Sequence, residues 1–207
     1  MTDLELEKAL ADIDAIKTQI ARGSDFRGYG PTTLALTGFL AVAAAVAQAA
    51  WLPDPMAAPE IFLAIWIGAA ALGMALAGAE TVTRSRRLHS RLADEMIHAA
   101  FAQFAPAAIV GAVLPLVLLH AAPDALWLLP GLWQLLFGLG IVSSNRALPR
   151  ATTLTGGWYI LCGLVVLGVS AEARDLSPWT MGVPFGLGQL LFAAILHRAL
   201  GGAHDDA

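Results

Sequence analysis

Hydrophobic positions along this chain do not alternate with polar ones. They gather into six long runs, over 32–52, 60–79, 97–121, 126–143, 152–170 and 179–196, separated by short polar segments. Each run is close to the ~20 residues that an α-helix needs to cross the hydrocarbon of a bilayer, so the pattern predicts six transmembrane helices. Ahead of them, TDLELEKALADIDAIKTQIAR (2–22) sets Leu6, Leu10, Ile13 and Ile20 at three-and-four spacing opposite Asp3, Glu7, Asp14 and Thr18. That spacing predicts an amphipathic helix, stopped by Gly23 and followed by a hinge, SDFRGYGP. Its polar face carries five acids against two lysines and one arginine. An acidic face is poorly suited to anionic lipid, so this helix is expected to pack on the protein's own cytoplasmic face or on a second copy.

Charge orients the runs. The segment TVTRSRRLHSRLADEMIHAAFAQFAP (81–106) holds Arg84, Arg86, Arg87 and Arg91 between two apolar stretches. Alternating the spans places eleven of the twelve Lys and Arg residues on that side, leaving Arg174 alone on the other with Trp51, Trp127 and Trp179 at its interface. The positive-inside rule then puts both termini on the cytoplasmic side of the membrane. The expected fold is an all-α, six-transmembrane helical bundle preceded by an amphipathic cytoplasmic helix. Residues 1–30 form the helix and hinge, 31–198 the membrane domain and 199–207 a short acidic tail. Within the membrane domain the spans are read as three hairpins, 32–80, 97–145 and 152–198, with a cytoplasmic helix over 81–99. The stripe of Leu88, Leu92 and Met96 carries this helix on toward the third span, where Pro106 and Pro115 free carbonyls that need other partners.

Composition narrows the function. Hydrophobic residues make up 57% of the 207 and charged ones only 14%, well outside the range of water-soluble domains. The net charge of -4 is divided between two membrane faces and gives nucleic acid no basic surface to bind. A single cysteine, Cys162, lies in an apolar run, which excludes a disulfide framework or CxxC pair. No Asp, Glu, Lys or Arg falls mid-span, which argues against a buried carboxylate relay for protons, and no lysine after Lys17 is present to carry retinal.

The groups capable of chemistry are few. Glu95 and His98 form a Glu-x-x-His pair on one helix face, the spacing that binds metal in di-iron bundles, but the chain has it once rather than twice. Glu80 and His197, also near cytoplasmic helix ends, would complete a mononuclear site with mixed nitrogen and oxygen ligation suited to zinc or iron. The competing reading pairs Asp94 and Glu95 with Arg87 and Arg91 at helical spacing, leaving Arg84, Arg87 and Arg91 as a cytoplasmic interaction face and no cofactor. Inside the membrane, GLWQLLFGLGI (131–141) and GLGQLLFAAIL (186–196) share a pattern, as do TTLALTGF from Thr32 and TTLTGGWY from Thr152. An internal repeat would put Gln134 and Gln189 at matched positions, facing each other along a narrow path or bonding between helices. Gly68, Gly73 and Gly78 predict close helix contact in the second span.

The stretches GYGPTTLALTG, LADEMIHAAFAQFAP, PGLWQLLFGLGI and SPWTMGVPFGLGQLL together resemble a group of small bacterial six-helix inner-membrane proteins to which no activity is assigned. The three-hairpin layout is also loosely similar to the HdeD-type acid-resistance membrane proteins. The resemblance implies a bacterial plasma membrane location and transfers no functional residue. The function expected is non-enzymatic: transport or sensing of a small solute, or a membrane scaffold, with the lipid bilayer and a membrane-protein partner or second copy as its contacts. The alternative is a membrane metal-binding protein or metalloenzyme centred on Glu95 and His98.

Overall fold

A computed structural model of the chain describes residues 30–88, 91–144 and 152–205, with side chains described over 30–83, 101–144 and 152–198. The described residues form helices and no strand: α1 Pro31–Trp51, α2 Pro59–Leu88, α3 Arg91–Ala121, a 3₁₀ turn at Pro123–Leu128, α4 Leu129–Ser143, α5 Thr152–Ala173 and α6 Trp179–Asp205. Six stretches within them are long and apolar enough to cross a membrane. Proline starts α1 and α2, where its missing N–H costs nothing. At the end of α5, Arg174 takes a left-handed φ of 49° and its N–H closes on the Ser170 carbonyl at 2.8 Å.

The helix expected over 81–99 is described on both sides of residues 89–90. Its first part extends α2 to Leu88 and its second opens α3 at Arg91. Helix α3 then runs through both Pro106 and Pro115 as one element. The amphipathic helix over 2–22 lies outside the described residues, as do the side chains of Arg84, Arg87, Arg91, Glu95 and His98.

Residues are sorted by burial in the sense opposite to that of a water-soluble bundle. Helix α5 buries Thr152, Thr155, Gly156, Tyr159, Gly163, Val166 and Ser170. It exposes Leu154 (68%), Leu161 (59%) and Val169 (71%). Small and hydrogen-bonding residues inside with branched aliphatics outside is the pattern of helices solvated by lipid, where helix contact comes from close packing rather than from hiding oil from water. In water such a surface would be a single adhesive patch.

The closest helix pairs cut across the expected hairpins: α4 packs on α5, the helix that follows it, and α1 on α6 at the far end of the chain, more intimately than the two helices of any expected hairpin pack on each other. Glycine makes this possible. A methyl group added at Gly138 would lie 2.7 Å from the Gly156 carbonyl oxygen, and one at Gly131 2.9 Å from that of Gly163. The two backbones touch at two levels, one heptad apart on each helix. In the second pair, a methyl at Gly38 would sit 3.0 Å from the Gly186 carbonyl, while Gly182 closes against Ala45. Each pair joins a helix that begins Thr-Thr-Leu to one that carries Gln-Leu-Leu-Phe, so the segments sharing a sequence pattern occupy like places in the two pairs.

Helices α2 and α3 are peripheral. Only 6% of the span Phe101–Ala121 and 17% of Pro59–Thr83 is buried, against 44% for Pro123–Ser143 and for Trp179–Arg198. Five of the six spans, all but α5, contribute to a cluster near the end that bears Trp51, Trp127 and Trp179; it holds Ala45, Phe62, Trp66, Leu126, Leu129 and Met181 with Leu176 from the turn after α5, and Leu114 and Leu118 pack against it. Toward the arginine-bearing end, a second cluster of Leu34, Phe192, Ala193 and Leu196 belongs to α1 and α6 alone. Among the described residues, the close contact expected in α2 is absent at Gly68 and Gly78, where an added methyl would meet nothing within 4 Å, and Gly73 meets only Thr37.

Candidate functional site: a charge-free polar interior

Two prolines and two adjacent residues of α4 define the centre of the bundle. Proline removes the N–H that would close on the carbonyl four residues back. Pro115 therefore frees the Gly111 carbonyl in α3, and Pro184 that of Thr180 in α6. Trp133 donates its indole N–H to the Gly111 oxygen at 2.8 Å, and Gln134 donates Nε2 to the Thr180 oxygen at 2.7 Å. Neighbouring side chains on α4 thus satisfy both carbonyls and tie α4 to α3 and α6 at the places where those helices lack their own bonds. Gln134 Nε2 also reaches the Pro130 carbonyl at 3.0 Å. Trp158 of α5 repeats the theme, donating to the Pro184 carbonyl at 3.0 Å.

Toward the arginine end lies an aromatic knot. Phe104, Phe137, Tyr159 and Phe185, one from each of α3 to α6, stack edge to face or tilted, with ring centroids 5.5 Å apart for Phe104 and Phe137, 4.8 Å for Phe137 and Tyr159, and 5.1 Å for Tyr159 and Phe185. Gly188 lets α6 pass over the tyrosine, since a methyl there would come within 2.6 Å of the Tyr159 oxygen. Tyr159 is wholly buried, and its hydroxyl has no hydrogen-bond partner. Thr155, one turn away on the same face, is also wholly buried with its hydroxyl unpartnered. Gln103 Oε1 and Gln189 Oε1 are buried and unpartnered as well.

Gln134 and Gln189 do not meet. Gln134 is held at Thr180, whereas Gln189 lies nine residues further along α6, where its Cβ is 3.1 Å from the place a methyl on Gly38 would take. At 1.5 Å per residue that separates them by about 13 Å along the helix. The first is an interhelical bond to a freed carbonyl, and the second flanks the contact between α1 and α6.

Glu80, proposed from the sequence as a metal ligand, accepts the Gly30 N–H at 2.9 Å. Gly30 is the residue that precedes α1, so the carboxylate caps the helix from α2 and meets its positive end. Glu80→Ala is expected to lower stability by about 1 kcal/mol, and Glu80→Gln, which keeps an acceptor but not the charge, by about half of that. Thermal unfolding in detergent measures both. His197 is exposed on α6, and among the described residues no three His, Cys, Asp or Glu side chains converge as metal ligands would. Glu95 and His98 fall outside the described side chains.

Sequence reasoning overlooked Thr155, Trp133 and Trp158. The two tryptophans had a readable signal, for each lies inside a span rather than at an interface and its indole N–H must find an acceptor there. Thr155 is four residues before Tyr159, which puts both on one face. Comparison of the chain with family models, with curated proteins and with solved structures finds no match in any of the three.

Proposed function

We propose that this chain is a multipass protein of a bacterial plasma membrane, its arginine-bearing end in the cytoplasm, that binds a small solute inside the bundle in order to move or detect it. One observation carries the reading. Among the described residues, six buried polar atoms, on Gln48, Gln103, Gln134, Thr155, Tyr159 and Gln189, have no hydrogen-bond partner. In a lipid-solvated bundle each unpaired polar atom is costly, and a purely structural scaffold would replace it with an apolar one. Spread over five of the six spanning helices, these atoms are unused donors and acceptors that a solute or its water would satisfy once the helices part to admit it.

A scaffold needs only the glycine contacts already described, and those explain the packing without the orphaned atoms. The metal reading centres on Glu95 and His98, outside the described side chains; Glu80, a further ligand it could recruit, has its carboxylate engaged in capping α1. Reconstituted into vesicles, the full-length protein is expected to accelerate uptake of at least one small solute over protein-free vesicles, or to gain thermal stability in its presence. A bound ligand at about a hundred times its Kd adds about 2.7 kcal/mol, which is readily seen. Neither effect, across a panel of neutral and charged solutes, would overturn the proposal.

A further inference from the structure

The bundle is built as two halves. In one, α2 packs on α1 and α1 on α6; in the other, α3 packs on α4 and α4 on α5. Between the halves, α5 meets α6 over a shorter stretch than either glycine-packed pair shares, and α2 meets α3 more sparingly still. At the end bearing Trp51, Trp127 and Trp179 both halves enter one cluster, with Ala45, Phe62, Trp66 and Met181 from the first and Leu126 and Leu129 from the second. Gln134 bonds across to the Thr180 carbonyl at that end. Toward the arginine-bearing end each pair is packed within itself. Gly138 closes on Gly156 in one, and Gly38 on Gly186 in the other, which adds its own cluster of Leu34, Phe192, Ala193 and Leu196.

A seam between α5 and α6 joins the halves beyond that cluster. Trp158 donates to the Pro184 carbonyl, the rings of Phe137 and Tyr159 meet Phe185 at 5.5 and 5.1 Å, and Tyr159 lies on the backbone of α6 at Gly188. Helix α5 starts at Thr152, so at 1.5 Å per residue Tyr159 is only about 10 Å from the arginine-bearing end of its helix. The seam holds polar atoms that its closure leaves unmet. The hydroxyls of Tyr159 and of Thr155, one turn nearer the end, are wholly buried without partners, and so is Oε1 of Gln189, the neighbour of Gly188. Burial of the aromatic rings holds the seam shut. The unmet polar atoms oppose it, because water would satisfy them if the halves parted.

We infer that the two halves part at the arginine-bearing end, turning about the cluster at the tryptophan end, and that Tyr159 on Gly188 is the latch between them. Each half moves as a body, because its glycine contacts bring backbone against backbone and leave no slack within the pair. The closed form needs no void for this. The orphaned atoms of the seam belong to the open form, in which Thr155, Tyr159 and Gln189 line a water-filled entry from the arginine-bearing side. The inference rests on the solute-binding reading above for its purpose, to which it adds the route of access, and on the seam alone for its geometry.

The test places one reporter thiol in the seam of the full-length chain, Thr155→Cys in a Cys162→Ala background, and treats membrane vesicles of each orientation with a charged, membrane-impermeant methanethiosulfonate. The thiol is expected to react from the arginine-bearing side, at least about tenfold faster than Leu129→Cys in the cluster at the other end. Tyr159→Phe, which removes an unmet hydroxyl and keeps the ring, is expected to slow the reaction about tenfold. Gly188→Ala is expected to speed it, since the added methyl would lie 2.5 Å from Tyr159 Cζ and wedge the seam. If Gly188→Ala fails to assemble, Trp158→Phe deletes the bond to the Pro184 carbonyl and is expected to speed the reaction in its place. A thiol at position 155 that reacts no faster than one at 129, a rate unchanged by Tyr159→Phe, or rates that move the same way in Tyr159→Phe and the loosening variant overturn the latch. Reaction with the expected signs, but neither flux nor stabilisation by any solute, overturns the solute-binding reading and leaves the opening standing.

Discussion

Gly138→Leu is expected to abolish folding of the bundle, and Gly138→Ala to cost about 1–3 kcal/mol, the usual penalty for overpacking a tight contact. Even one methyl at this position would lie 2.7 Å from the Gly156 carbonyl oxygen and 2.8 Å from Ile160 Cγ1. The oxygen belongs to helical backbone and cannot rotate away, so α4 and α5 must separate, and the matching contact of Gly131 with Gly163 opens with them. Gly157→Ala supplies the control on the partner helix α5, because a methyl there meets nothing within 4 Å. It is expected to be neutral or to gain up to about 1 kcal/mol from helix propensity. Thermal unfolding in detergent distinguishes the two, and equal losses at positions 138 and 157 would mean that the helices do not touch where the structure places them.

The same comparison shows what could be read in advance. Span positions were legible because a run of about twenty apolar residues is a one-dimensional signal: the expected 32–52, 126–143 and 179–196 compare with Pro31–Trp51, Pro123–Ser143 and Trp179–Arg198. Helix partners were less so. Gly68, Gly73 and Gly78 looked like a contact face, yet steps of five residues turn each glycine about 140° from the last, so the three do not share a side and Gly73 faces away from the other two. Gly131 with Gly138, and Gly156 with Gly163, are separated by seven, which returns to within about 20° of the same side. That difference was present in the chain and marks the faces that meet. What no spacing revealed is which face meets which, since α4 could have paired with α3, its hairpin neighbour, as easily as with α5. The polar interior was legible in part, with Gln134 and Gln189 recognisable as unusual within spans. Their partners were not, because a carbonyl freed by a proline in one helix becomes an acceptor for whichever donor the packing delivers.

That dependence on a proline gives the most discriminating prediction about the centre of the bundle. Gln134→Leu is expected to destabilise the protein by about 1 kcal/mol, in the upper part of the range for hydrogen bonds between membrane helices. The larger share of that loss comes from leaving the Thr180 carbonyl unpaired, because the Pro130 carbonyl still has the Gln134 backbone N–H within reach as part of α4. Pro184→Ala restores an N–H at position 184, which closes on the Thr180 carbonyl inside α6 and makes the glutamine redundant to it. In the Pro184→Ala background the cost of Gln134→Leu is therefore expected to shrink toward zero, a coupling of about 1 kcal/mol measurable as a double-mutant cycle on thermal unfolding in detergent. An unchanged cost in that background would show that Gln134 acts through its other contacts. Full coupling would identify α4 as the strap that holds two proline-interrupted helices, α3 through Trp133 and α6 through Gln134, and would place any movement of the bundle at those two points, where helices lack their own bonds and depend on a neighbour's side chain.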